Sequence, residues 1–564
     1  MPQASLDQLL DQLDEAKRDF GAAGGRVAML LAEIGKRELE DAEALVRFHE
    51  ALLFIRAYPQ DRDALVAADR LLDSFGQRVA ALLKAGADPV SFDYIEYSGI
   101  AGTTLHGHYS YGFARWLVAY HTDDVEIDWA RYETPERLAL VLPRLVPLMY
   151  EDTLVEANIP YRDWIQAAKP AGLSDLAWLV AQFEQSDLSE REKSAAYDTL
   201  ELWIHWRMDD SAASRTQNRH MPERVFYHTE PLIRRNEVSL EAVIRAPLKL
   251  AKLSRRDGQQ VVNHCRETTG ARYRELYGIA YGDPASVVKA EVGRGLELFL
   301  WGLSTERRLP LRGYHAGFAL KNGVPNNYIE GITICERMEL GFNLFYTYRE
   351  GESAWVYAQV LRMLHGLTGA TCFSIDPYQI GHHNDEALES GAFWFYRKLG
   401  FRPTRPDLMK LAAREEQRIR ERRDYRTSLR TLKRLAEAPV IYELPGTSRG
   451  DWDNFRVRKL GLRVAERTAS RFAGDATRMR ATAIKQVARA LGVKVDELKK
   501  AERQAFADFA AVLALIDDLS RWTVEEKQML VQIIDAKAAS DDARYARRLQ
   551  NHARLRAALI ALGS

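Results

Sequence analysis

Glu389-Ser390-Gly391-Ala392-Phe393-Trp394-Phe395-Tyr396-Arg397-Lys398-Leu399-Gly400-Phe401 combines a dense aromatic helical pattern with a glycine stop. Ala392, Phe395, Tyr396 and Leu399 recur at helical spacing, which predicts a helix with one packed face. Gly400 stands where helices close through a left-handed residue, and Phe401 then re-enters an apolar environment. A packed tyrosine is the plain reading of Tyr396, and Lys398 is expected in solvent.

The preceding segment predicts three antiparallel strands. Leu311 to Leu320 is apolar enough for the first, and Asn322-Gly323 supplies two residues that tolerate positive φ in a tight hairpin turn. Tyr328 to Cys335 alternates as a second strand, a bend follows near Arg337, and Leu340 to Tyr348 alternates as a third. Tyr348-Arg349-Glu350-Gly351-Glu352-Ser353-Ala354 then leads into a helical pattern carried by Val356, Tyr357, Val360, Leu361 and Leu364. A strand that turns into a helix through small residues leaves backbone N–H groups pointing one way, and with the helix dipole that end attracts phosphate. Capping by Ser353 competes for the same amides. Ala370 to Pro377 reads as a short buried strand stopped by proline, and Tyr378 to Asp385 as a loop.

The order hairpin, strand, glycine turn, helix, strand, helix, Gly-Phe resembles the core of the GNAT acyltransferases, over residues 305–405. The resemblance implies a small mixed sheet and an acyl-coenzyme A cofactor, acetyl-CoA or another acyl-CoA. It implies direct attack of a small-molecule or peptide amine on the thioester. It places the pyrophosphate on the turn, at Arg349, Gly351, Glu352, Ser353 and Ala354, and a carbonyl-polarising main-chain amide near Asn343 to Phe345. Tyr396 then protonates the departing thiolate. The family turn reads Gln/Arg-x-x-Gly-x-Gly/Ala, and here Tyr348 departs at its first position while Gly351 keeps the second. Glu389 replaces the family's Asn, with Asn384 nearby. An attacking ammonium must lose a proton, and Glu330, Glu336 and Glu339 stand on the strands facing the acceptor. The residues do not choose among the three; Glu339 is the working candidate.

The remaining sequence narrows the class. The 564-residue chain carries 79 Lys and Arg against 79 Asp and Glu, a formal balance that argues against a large footprint for nucleic acid or anionic lipid. Cys265, Cys335 and Cys372 are widely spaced, which disfavours zinc fingers and a disulfide framework and suits a reducing compartment. No secretory start or membrane-length apolar run is visible, so a cytoplasmic protein is expected. Adjacent His382 and His383 diverge too far to share one ion, and no metal is expected there. His106-Gly107-His108 can place two rings on one side of an extended segment near Asp93, Glu96, Tyr109 and Tyr111, but spacing supplies no third ligand.

The fold class that follows is α+β, a small mixed sheet with helices, set between large mainly helical regions. Residues 1–90 read as three helices and 91–300 as a mainly helical domain, with helices over Leu138 to Met149, Leu173 to Phe183, Tyr197 to Met208, Val238 to Leu253 and Asp257 to Leu276. Residues 301–405 form the α/β domain and 406–564 a C-terminal helical region. The alternative to an enzyme is a scaffold that has lost its cofactor.

Overall fold

The computed structural model describes residues 5–21, 25–39, 41–94, 96–147, 159–209, 211–447 and 449–564. The chain is mixed α+β, built around a nine-stranded sheet and a separate three-stranded one. The small sheet consists of β1 (Thr104–His108), β2 (Val125–Ile127) and β3 (Trp203–Arg207), in the order β1-β3-β2. The large sheet contains β4 (Ala251–Lys252), β5 (Val288–Glu291), β6 (Leu296–Gly302), β7 (Gly313–Lys321), β8 (Val324–Ile334) and β9 (Arg337–Leu344) as an antiparallel series. It continues with β10 (Cys372–Ile375), β11 (Arg402–Pro403) and β12 (Val440–Glu443), in the order β9-β10-β12-β11.

Among the described strands only the β9–β10 pair is parallel, and the crossover between them is the helix Ser353–Thr368. Parallel neighbours need such a crossover because a short turn cannot reverse the chain twice. The β7–β8 hairpin turns on Asn322 at φ 48° and Gly323 at φ 79°, as Asn-Gly predicts. The helix Ala392–Lys398 follows Gly391 at φ 69°, and Gly400 at φ 102° lets the chain leave it for β11.

Alternation along the strands sends side chains to two cores. Leu298, Leu300, Ile329, Met338, Leu340 and Phe342 meet Val356, Tyr357, Val360 and Leu361 of the crossover helix. From the opposite face, Phe299, Trp301, Ala316 and Phe318 meet Val262 and Cys265 of the helix Arg255–Gly270. The C-terminal helices pack on Ile334, Cys335, Cys372 and Ile441.

Several expectations change. The third strand stops at Leu344, and Tyr346–Tyr348 form a 3-10 turn, because Tyr348 faces inward to the buried Arg272 and Glu50 rather than along the sheet. Residues 1–90 contain five helices among those described, not three. Trp203 and Trp206 lie on a strand, not a helix, so they point to opposite faces: Trp206 is buried and Trp203 half-buried. Val238 to Leu253 is helical only over Leu240–Arg245. Leu138 to Met149 forms the 3-10 turns Pro135–Leu140 and Leu142–Arg144, and its last two residues lie outside the described ones. The large sheet also crosses both expected boundaries, at 300/301 through β4, β5 and β6 and at 405/406 through β12.

A buried ion triad ties the sheet to the crossover helix. The Glu352 carboxylate, wholly buried, accepts from Lys321 Nζ at 3.0 Å and from Arg294 Nε at 2.8 Å. Burial alone would raise its pKa; Lys321 and Arg294 more than reverse that and hold it ionised below the ordinary value. Burial brings Lys321 down to about 8. Replacing Glu352 by Gln strands the Lys321 ammonium, and loss of one partner of a buried pair costs about 3–5 kcal/mol. We expect Glu352→Gln to lower the melting temperature markedly at neutral pH. In the parent the contribution is present above the ordinary glutamate pKa and lost as pH falls through the lower folded value, so the gap between the two proteins should close in acid. Melting curves against pH check both.

Candidate functional site

The β9–β10 ladder pairs only Arg337 with Cys372, Met338 with Phe373 and Glu339 with Ser374. Pro377 has no N–H to give and restricts Asp376 before it, so β10 ends at Ile375. β9 runs on to Leu344 with its β10-side edge free of strand pairing, the Leu344 carbonyl accepting there from Arg349 Nε at 3.4 Å. A cleft of about 280 Å³ opens there, lined by Tyr328, Phe342, Asn343 and Leu344 on the sheet and by Ser390, Ala392, Phe395 and Tyr396 opposite.

Strand geometry decides which amides face the cleft. The Phe345 N–H donates to the Asn326 carbonyl of the β8 segment at 2.9 Å. Backbone groups of a strand alternate between its two edges, so Asn343 also faces β8, while Phe342 and Leu344 direct N–H and C=O toward the gap. Within the expected span Asn343 to Phe345, Leu344 therefore has its N–H toward the gap, joined by Phe342, whereas Asn343 and Phe345 face β8. The Asn343 side chain lines the cleft and donates to the Tyr328 hydroxyl at 3.1 Å. The Phe345 ring lies 4.2 Å from the Arg272 guanidinium, away from the cleft lining.

Tyr396 is on the cleft wall, as its helix position predicts. Its ring meets Tyr357 at 5.6 Å and Phe401 at 5.5 Å, and burial raises the pKa of its hydroxyl. The side chain is thus packed in the core and borders the cleft at once.

The turn differs from expectation in what its residues do. Helix Ser353–Thr368 has no side-chain cap, so its first amides remain open. Ser353 lines the cleft and also a second cavity of about 520 Å³, which Gly351, Ala354 and Phe395 share with Arg18, Arg234 and Arg235. Glu350 lines that cavity too and pairs with Arg18 at 2.7 Å. Glu352, expected at the cofactor, turns its carboxylate into the triad and offers the turn only its backbone. Arg349 does reach the cleft, where it pairs with Glu386 at 2.6 Å beside Arg274. Gly351 owes its identity to a neighbour: a Cβ there would lie 2.6 Å from the Tyr58 hydroxyl and 2.7 Å from its ring.

Of the carboxylates, Glu339 sits in the closed part of the ladder beside Arg337, outside the cleft lining, which corrects its assignment as base. Glu336 is tied to Arg556 and Trp452. Glu330 pairs across from Gly341 on the same face as Tyr328, and its Cβ and the cleft residue Gln379 flank the open side of Gly341. Burial raises its pKa, only partly offset by the Tyr314 hydroxyl that it accepts from. Away from this site, His106 binds Asp128 at 2.7 Å and His108 Nδ1 donates to the Leu202 carbonyl at 3.1 Å, so the two rings serve separate partners. His382 and His383 rest ring on ring at 4.2 Å.

The collision with Tyr58 changes what a substitution at the turn should do. Gly351→Ala is expected to cost about 1–3 kcal/mol of stability through overpacking, so a Gly351→Val variant would not report on ligand binding alone. Thermal denaturation of Gly351→Ala checks this. No described helix is long and apolar enough to cross a membrane. Compared with known proteins, the chain matches no family model, no curated sequence and no solved structure.

Proposed function

We propose that the cleft between β9 and β10 binds an acyl-coenzyme A and passes the acyl group to an amine. The observation that carries this reading is the parting of the two strands after Glu339, with the Phe342 and Leu344 amides and the Tyr396 hydroxyl lining one gap. The element order around it resembles that of the GNAT core, a family that threads its cofactor between the corresponding strands. The pantetheine arm would lie in the cleft. The phosphates would meet the open amides of the helix beginning at Ser353, in the cavity that Arg18, Arg234 and Arg235 wall.

Chemistry follows from the positions. An amine attacks the thioester carbonyl, and negative charge gathers on that oxygen; a main-chain N–H from Leu344 or Phe342 would stabilise it. The C–S bond breaks, and Tyr396 would give its proton to the leaving thiolate. Glu330, with its raised pKa, would take the proton that the ammonium must lose first, through a water. The competing reading is a scaffold without cofactor. Tyr348 favours it, since burial leaves the turn without the family's first polar residue.

Calorimetric titration with acetyl-coenzyme A separates the two: micromolar binding is expected, and no binding at millimolar cofactor would leave the scaffold. Tyr396→Phe keeps the ring and its packing, so cofactor affinity should persist while single-turnover transfer falls roughly 100-fold to 10,000-fold. A rate within about threefold of the parent, under 1 kcal/mol of barrier, would remove Tyr396 as the acid. The rate should also rise with pH along a limb whose midpoint lies above the ordinary glutamate value of 4.5. Glu330→Gln should abolish that limb and leave only the titration of the amine itself; an unchanged pH–rate profile would return the base to another group.

A further inference from the structure

The zero net charge of the chain conceals a segregation. Residues 406–564 carry 33 Lys and Arg against 22 Asp and Glu, and residues 1–405 carry 46 against 57. Charge asymmetry between parts of a chain points to an anionic partner for the basic part. The excess is concentrated in residues 456–500, with 13 Lys and Arg against 4 Asp and Glu.

Within that stretch the helix Ala476–Leu491 buries Met479, Ala483 and Val487. Arg478, Thr482, Lys485 and Arg489 fall on the opposite side, within about 60° of arc at 100° per residue. Arg478, Lys485 and Arg489 are exposed, and among the described residues none of them has an ion-pair partner. Nearby acids are engaged elsewhere or off the stripe: Asp475 caps this helix at the Arg478 N–H, Glu497 pairs with Lys494, and Glu466 lies on the preceding helix. Three uncompensated cations held in a row are the footprint of a polyanion.

We propose that this face docks the phosphate backbone of B-form duplex DNA, independent of base sequence. From Arg478 to Arg489 the stripe spans roughly 16 Å at 1.5 Å per residue, enough to reach phosphates on both sides of a major groove about 12 Å wide. The stripe is flanked on one side by the small side chains of Thr477, Ala481 and Ala488, while Ile484 and Leu491 pack against the C-terminal core, so it offers none of the large exposed apolar side chains that an interfacial membrane helix inserts. A-form RNA, with its deep narrow major groove and wide shallow minor groove, spaces its phosphates differently from the B-form major groove that the stripe matches. The proposal does not depend on the acyltransferase reading.

Fluorescence anisotropy of a labelled 24-base-pair DNA duplex with the full chain tests it, against Arg478→Glu/Lys485→Glu/Arg489→Glu. Binding to the parent at 50 mM salt is expected, and three phosphate contacts should weaken it by roughly 40-fold or more on raising salt to 200 mM. The triple variant should bind roughly 40-fold or more weakly than the parent at 50 mM, and any binding that remains should show a salt slope smaller by about 2.7. Because the three side chains are in solvent, its melting temperature should match the parent; if it does not, the neutral Gln triple replaces it. No duplex binding at 50 mM salt, an unchanged affinity and slope in a folded variant, or preference for RNA or anionic vesicles over DNA would each overturn the proposal.

Discussion

Pro377 sets the constraint on which the candidate site depends. A strand residue without an N–H cannot continue a ladder, so β10 stops after four residues while its neighbour β9 runs for eight. The unpaired edge that results would normally be a liability, since open N–H and C=O groups invite another strand. Here the short helices Asp385–Glu389 and Ala392–Lys398 stand across the gap rather than filling it. The cleft is thus a consequence of strand lengths, and its polar floor is main chain.

The second constraint is electrostatic and lies beneath the turn. Glu352 sits at the helix start, yet its carboxylate reaches Lys321 at the β7–β8 hairpin and Arg294 at the β5–β6 turn. Three hairpin or helix ends are thereby held in register by one buried charge group. Tyr58, from the end of the helix Ala42–Ala57, fills the space against Gly351, and the Lys321 ammonium lies 4.7 Å from its ring. The N-terminal helices are therefore part of the site's foundation. Arg18 and Phe20 extend that role by walling the outer cavity.

Local signals were readable where one residue type answers one backbone demand. Asn322-Gly323 declared the hairpin, Gly400 declared the end of the helix, and Pro377 declared the end of β10. Signals that two structures share were misread. Trp203 and Trp206, three apart, suit a helix face, but β3 needs only that one ring be buried. Tyr346 and Tyr348 continue the alternation of β9 in sequence, but Tyr348 is drawn inward to the charged core around Arg272 and Glu50. What sequence could not carry was long-range pairing. β12 enters from beyond residue 405 to separate β10 from β11, and nothing local in Val440–Glu443 names its partners. The triad of Glu352, Lys321 and Arg294 was invisible for the same reason, so Glu352 looked like part of a ligand turn.

The same long-range pairing bears on how separable the parts of this chain are. Placing β12 between β10 and β11 closes the sheet beside the cleft with a segment that follows the charged helix Pro406–Glu421. At the other edge, β4 to β6 supply strands that pack Phe299 and Trp301 under the helix Arg255–Gly270, the face that carries Tyr314 and Glu330. A piece cut at residues 305–405 would lose strands on both sides and expose Phe318 and Cys372 to water. It would also lose Arg294 and so leave Glu352 with one counter-charge. The small core that the motifs delineate is accordingly not a domain in the physical sense: its edges and its buried charge are completed by the flanking regions, and the cleft exists only in the chain that contains them all.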